Sequence, residues 1–146
     1  MTEHDVFDCK MCGECCTGKG GIVVSPADLT RLAGYLHLSE EDVVARYAEY
    51  SGTKLKLRNN ADGACVFFLR EKGCSVHLGK PAICRAWPFF RGNLVDAESY
   101  AMAREFCPGI RPNIRHEDFA RVGHSYLERE QLLARDTATE ANALIV

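Results

Sequence analysis

Apolar positions repeat at helical spacing along much of the chain and switch to strict alternation in its middle. Leu29, Leu32, Ala33 and Leu36 share one face, predicting a helix with Ser25 as N-cap, Pro26 at the first helical position and Asp28 at the third. Ser39 caps a second helix. Its Glu40, Glu41 and Asp42 suit the positive end of the dipole, and Val43, Val44 and Tyr47 form its buried face. Glu98 to Phe106 reads as a further helix, stopped by Cys107-Pro108-Gly109. Phe119, Val122, Tyr126 and Leu133 line a long amphipathic helix from His116 to about Ala138, beyond which, past Thr139, the chain is expected to fray.

Strand signals are shorter. Ile22-Val23-Val24 is an apolar strand candidate, and Lys54-Leu55-Lys56-Leu57-Arg58 alternates as a half-buried strand does. After the turn Asn59–Gly63, Ala64–Leu69 and Cys74–His77 flank Glu71-Lys72-Gly73 as a hairpin with one cysteine on each arm. Pro81 to Cys84 predicts a short helical turn. Phe89–Val95, with Gly92-Asn93 at its centre, predicts another hairpin.

A length of 146 residues suits one domain with a real core, and no repeat, linker or low-complexity run divides it. The net charge of −2 gives no general attraction to nucleic acid or an anionic membrane. The two capped helices invite a helix-turn-helix reading, but the second begins with acids where a recognition helix meets phosphates, so they are read as packed core helices. The start, Met1-Thr2-Glu3-His4-Asp5, lacks the basic and apolar character of a secretory signal. No apolar stretch approaches the roughly 20 residues that span a bilayer. The expected compartment is the cytoplasm, where thiols stay reduced.

That matters because the chain has eight cysteines. Cys9, Cys12, Cys15 and Cys16 crowd into one short stretch, and Cys65, Cys74, Cys84 and Cys107 follow. In a reducing compartment such clustering points to metal ligation before disulfides. A Cys-x-x-Cys turn sets two sulfurs at the separation one ion or cluster edge requires, and amide N–H groups, glycine and nearby cations offset thiolate charge. Gly13, Gly18–Gly21 and Arg85 suit that supporting role, although turn geometry explains the glycines equally. Gly18-Lys19-Gly20-Gly21 lacks the spacing of a phosphate loop.

Cys9-x-x-Cys12-x-x-Cys15 with a remote Cys107-Pro108 matches the spacing by which bacterial ferredoxins hold iron–sulfur clusters, except that Cys16 interrupts the run. Zinc takes the same thiolates in four-sulfur tetrahedra. One partition sets Cys9, Cys12, Cys15 and Cys107 apart from Cys16, Cys65, Cys74 and Cys84; adjacent Cys15 and Cys16 serving neighbouring sites is another. His77 is the best histidine candidate, but the cysteines already suffice, and a hydrogen-bonded structural role is preferred for it. Trp87, Phe89 and Phe90 would shield a site at Cys84, or simply pack. The fold class expected is α+β: a small domain over 1–146, with short helices and β-hairpins arranged around cysteine-ligated metal sites and a long C-terminal helix.

Cys9-x-x-Cys12-Gly13-x-Cys15-Cys16, then Asp28, Cys65, Cys74, Pro81-x-x-Cys84-Arg85-x-x-Pro88 and Cys107-x-Gly109, resembles the CxxCxxCC cysteine-cluster family over about residues 9 to 109. The resemblance implies zinc or iron chelation. Many relatives have Arg-Pro where this chain has Lys80-Pro81, a change outside the sulfurs. Some larger proteins with a similar domain are associated with lysine N-methylation of flagellin and with an iron–sulfur cluster, but this chain has no recognisable methyl-donor loop. The expected function is a metal-binding protein holding an iron–sulfur cluster or zinc in a redox, metal-handling or structural role. The alternatives are a methyltransferase-like or redox enzyme using the site, or a metal-stabilised interaction module. Metal ions are the expected partners; nucleic acid and membrane are not.

Overall fold

The computed structural model describes residues 1–10, 22–60, 65–69, 73–76, 79–134, 136 and 138–144. Cys12, Cys15, Cys16, His77 and the Gly18–Gly21 run lie outside the described residues. The architecture is α+β, in two apolar clusters.

The first cluster gathers the two ends of the chain. Helix α1 (Glu3–Val6) buries Val6 completely, beside Phe89, Leu94, Tyr100, Ile110, Phe119 and Leu127. Of the face expected on α7 (His116–Arg129), Phe119 and Val122 are buried and Tyr126 is half-buried, while Leu133 lies past the helix end and Leu127, not among the expected residues, is buried instead. Gly123 faces the same way, and a Cβ there would lie 2.7 Å from Phe89 Cδ1 and Leu94 Cδ2, so α7 sits closer to α5 (Arg91–Val95) than any side chain permits. Phe119 stacks on Tyr100 at 4.2 Å between ring centroids and tilts against Phe89 at 5.2 Å. Tyr100 belongs to α6 (Ala97–Phe106).

The second cluster forms under a three-stranded antiparallel sheet of order β1-β3-β2, made by β1 (Val23–Val24), β2 (Ala48–Ser51) and β3 (Lys54–Leu57). In β3 the expected alternation holds: Leu55 and Leu57 are buried, with Leu32, Ala48, Cys65, Phe67 and Val76. Two helices sit between β1 and β2. Ser25 caps α2 (Pro26–Leu36), with its Oγ accepting from the Asp28 amide at 3.1 Å. Ser39 caps α3 (Glu40–Tyr47) in the same way through the Asp42 amide, and Val43 is its buried side chain. Strand β2 follows α3 with no spacer and turns at Gly52, whose φ of +62° a glycine adopts without cost.

Four expectations are corrected. The chain from Phe89 to Val95 is not a hairpin but the short helix α5. The favoured two-residue hairpin turns all need positive φ at the first central residue, and Gly92 does not have it. Instead the buried Asn93 amide donates to the Pro88 carbonyl at 2.8 Å, while Leu94 and Asp96 make helical bonds back to Phe90 and Gly92. Asp96 then caps α6 through Glu98 and Ser99. Second, α7 ends at Arg129, well before Ala138. Gln131 takes the left-handed conformation (φ 56°) and the Leu132 amide reaches the Leu127 carbonyl, a Schellman closure without glycine.

Third, the tail as far as Leu144 does not fray: Ala141 and Leu144 are buried, and the Ala134 amide bonds the Leu144 carbonyl. Fourth, the cysteine hairpin is shorter than expected. Strands β4 (Phe68–Leu69) and β5 (Gly73–Cys74) pair Phe68 with Cys74, but Cys65 precedes the hairpin and bridges Asn59. No helix among the described residues is long and apolar enough to cross a membrane.

Candidate metal centre

The N-terminal segment and the turn after α6 run antiparallel. The Arg111 amide bonds the Val6 carbonyl at 2.8 Å, Phe7 bridges Ile110, and the Asp8 amide bonds the Gly109 carbonyl at 2.8 Å. Arg111 Nε adds a bond to the His4 carbonyl. This pairing runs the chain toward Pro108, and Cys9 is the next residue after the Asp8–Gly109 bond. Gly109 permits it: a Cβ there would stand 2.6 Å from the Asp8 carbonyl oxygen and 2.8 Å from the Phe7 ring.

Cys107 is the C-cap of α6 and is buried. Its Sγ accepts a hydrogen bond from the indole Nε1–H of Trp87 at 3.4 Å. An N–H aimed at sulfur stabilises a thiolate, which is the form a metal takes. Trp87 is held edge-on against Phe90 at 5.2 Å and tilted against Phe106 at 5.7 Å, forming an apolar wall beside this sulfur. Cys9 is exposed. The Asp8 carboxyl beside it is held below the usual carboxylate range by the hydrogen bond from Lys10, at 3.0 Å.

Cys84 is half-buried on the five-residue helix α4 (Ala82–Ala86), which leads directly into Trp87. One end of α4 is anchored by Asp28, whose Oδ1 accepts from the Ala82 amide, and the other by Tyr126, whose hydroxyl donates to the Arg85 carbonyl at 3.1 Å. Desolvation, then the nearby Glu130 carboxylate, push the Tyr126 phenol above its ordinary range, so it stays a donor. The Arg85 guanidinium lies 4.0 Å from Glu130. A cleft of about 490 Å³ opens here, walled by Phe7, Cys9, Arg85, Trp87, Tyr126 and Glu130.

Cys65 lies elsewhere, buried in the second cluster, and Cys74 is in β5 opposite Phe68. Among the described residues no three His, Cys, Asp or Glu side chains gather into a metal-holding group. The chemistry of the donors fits zinc or iron all the same, since thiolates suit both and Cys107 already carries the N–H donor that a ligating sulfur needs. Sequence reasoning singled out Trp87 as a shield and missed its polar contact; Trp before Pro88 two residues past Cys84-Arg85 gave no sign that its ring edge meets Cys107. Helix α1, which precedes Cys9, is pinned by the Arg129 guanidinium donating to Glu3 at 2.7 Å.

A family model named for its CxxCxxCC pattern and described as "Putative zinc- or iron-chelating domain" matches residues 8–108. An uncharacterized protein of Methanocaldococcus jannaschii is 30% identical over 84 residues, covering 57% of this chain and 44% of the relative. The chain therefore matches less than half the length of that relative. No solved structure matches the chain.

Proposed function

The chain belongs to the CxxCxxCC family, and from that premise we propose that it is a cytoplasmic protein holding an iron–sulfur cluster or zinc through its cysteine thiolates, in a redox, metal-handling or structural role. The ligands are Cys9, Cys12, Cys15, Cys16, Cys65, Cys74, Cys84 and Cys107. The observation that carries this reading is the pairing of residues 6–8 with 109–111, which leads Cys9 toward a buried Cys107 already receiving an indole N–H.

Cys9-x-x-Cys12-x-x-Cys15 with Cys107-Pro108 favours an iron–sulfur cluster over zinc. A bound cluster supplies one-electron chemistry; bound zinc supplies structure or Lewis acidity. The chain's own part is to collect the sulfurs, offset their charge through Trp87 and Arg85, and exclude water with Trp87, Phe90 and Phe106. The cleft beside Cys9 favours a second reading, an enzyme in which a small molecule reaches the metal.

The test is iron, zinc and acid-labile sulfide content, with an absorption spectrum, on protein purified without air. Iron with sulfide and a broad visible band is expected. Colourless zinc protein without sulfide replaces the cluster with a structural or metal-handling site, and protein with no bound metal overturns the proposal.

A further inference from the structure

We infer that Asp28 is the positioning residue for Cys84, a role resting on the reading of Cys84 as a metal ligand. Asp28 is buried, and its two carboxylate oxygens serve different helices. Oδ2 accepts from the Ser25 amide at 3.0 Å, closing the capping box of α2. Oδ1 accepts from the Ala82 amide at 2.9 Å, the first amide of α4, and from Arg31 Nη2 at 2.7 Å. The same Arg31 Nη2 donates to the Lys80 carbonyl at 3.1 Å. One carboxylate and one guanidinium thus grip both sides of Pro81.

A capping box needs only the first of these oxygens. The second reaches a helix far along the chain, which has Pro81 as N-cap and no side-chain cap of its own. A five-residue helix has too few bonds to fix itself, so its anchors decide where it lies. Those anchors are Asp28 at the start, the buried Ala86 and the Tyr126 bond at Arg85. Cys84 is the third residue of the five, between them. Replacing the carboxylate by an amide turns one acceptor into a donor facing N–H groups, and it removes the buried counter-charge of Arg31.

The test uses the full chain loaded with zinc and compares Asp28→Asn, Cys84→Ser, the double variant and Ser39→Ala, which removes the cap of α3, a helix other than the one Asp28 caps. The readouts are zinc affinity by competition with a chelator and the alkylation rate of Cys84 in metal-free protein. Asp28→Asn is expected to weaken zinc binding about 10–100-fold, the usual range for residues that orient ligands, and to change the alkylation rate, while Ser39→Ala changes neither. In the Cys84→Ser background the Asp28 effect should vanish, because the two act through one ligand.

A full Asp28 effect that persists without Cys84, or an equal effect of Ser39→Ala, overturns the positioning role and leaves only fold stability. Cys84→Ser with unchanged zinc affinity overturns the ligand reading itself. If Asp28→Asn does not fold, Arg31→Lys keeps the counter-charge but shortens the reach to Lys80, and the same pattern at smaller size is required of it.

Discussion

The indole N–H of Trp87 points at the sulfur of Cys107, 3.4 Å away, from a chain segment that also carries Cys84 three residues earlier. Two motif pieces that sequence separates are therefore joined by a polar contact, and the contact can be removed without removing the ring. In Trp87→Phe the packing against Phe90 and Phe106 stays largely in place while the N–H is lost. Metal affinity is expected to fall about 10-fold, with little change in melting temperature. If the metal is an iron–sulfur cluster, its potential should become more negative, since N–H donors to sulfur stabilise the reduced state. Unchanged affinity and potential would count against Cys107 as a ligand.

Gly109 and Gly34 give a matched pair of opposite sign. At Gly109 a Cβ meets the Asp8 carbonyl and the Phe7 ring under 3 Å, while at Gly34, exposed on α2, nothing lies within 4 Å. Gly109→Ala should push the N-terminal segment off, at a cost of about 1–3 kcal/mol, and lose metal with it because Cys9 travels on that segment. Gly34→Ala should stabilise by roughly 0.5–1 kcal/mol and leave metal content alone. Denaturation midpoints and metal content measured together decide both.

Much of this fold was legible where a local rule agreed with the tertiary structure. Ser25 and Ser39 cap their helices, β3 alternates, and α7 buries Phe119 and Val122. It was illegible where distant contacts override a local signal. Gly92-Asn93 has turn composition, yet the Asn93 side chain bonds Pro88 and the segment winds into α5. Glu128 to Gln131 contains no glycine, yet α7 ends there because Leu132, Ala141 and Leu144 have a core to enter. In the candidate site the cysteine spacing was visible. The pairing that leads Cys9 toward Cys107 was not, because Phe7 and Ile110 are distant in sequence and form a single bridge.

The ion pair between Glu3 and Arg129 gives a pH dependence that can be isolated. The hydrogen bond from Arg129 lowers the Glu3 carboxyl below its ordinary value of 4.5. A group whose folded pKa is depressed adds stability that is present above its unfolded value and lost as pH falls through the folded one. Asp5, Asp8, Asp96, Asp118 and Asp136 are lowered as well, so the whole chain loses stability in acid. Glu3→Gln should therefore be the less stable protein near about pH 6 and lose less on going to about pH 3.5, the difference being Glu3's own share. Metal-free protein must be used, so that thiol protonation does not enter. Parallel curves for the two proteins would show that the pair contributes nothing to holding α1.

Cys65 separates a ligand from a buried small side chain. It is 4% exposed among Leu55, Leu57, Phe67 and Val76, a setting in which an unmodified cysteine packs as a small apolar group. If packing is its whole role, Cys65→Ala costs about 1 kcal/mol for the lost volume and metal content is untouched. As a ligand it contributes through the metal, and binding free energy is then folding free energy. Cys65→Ala should in that case lose metal from its site and lower the melting temperature of the metal-loaded protein well beyond the packing cost, while the metal-free protein shows only the small loss. The comparison of loaded and metal-free melts is the discriminating measurement. Equal small shifts in both states would remove Cys65 from the ligand set.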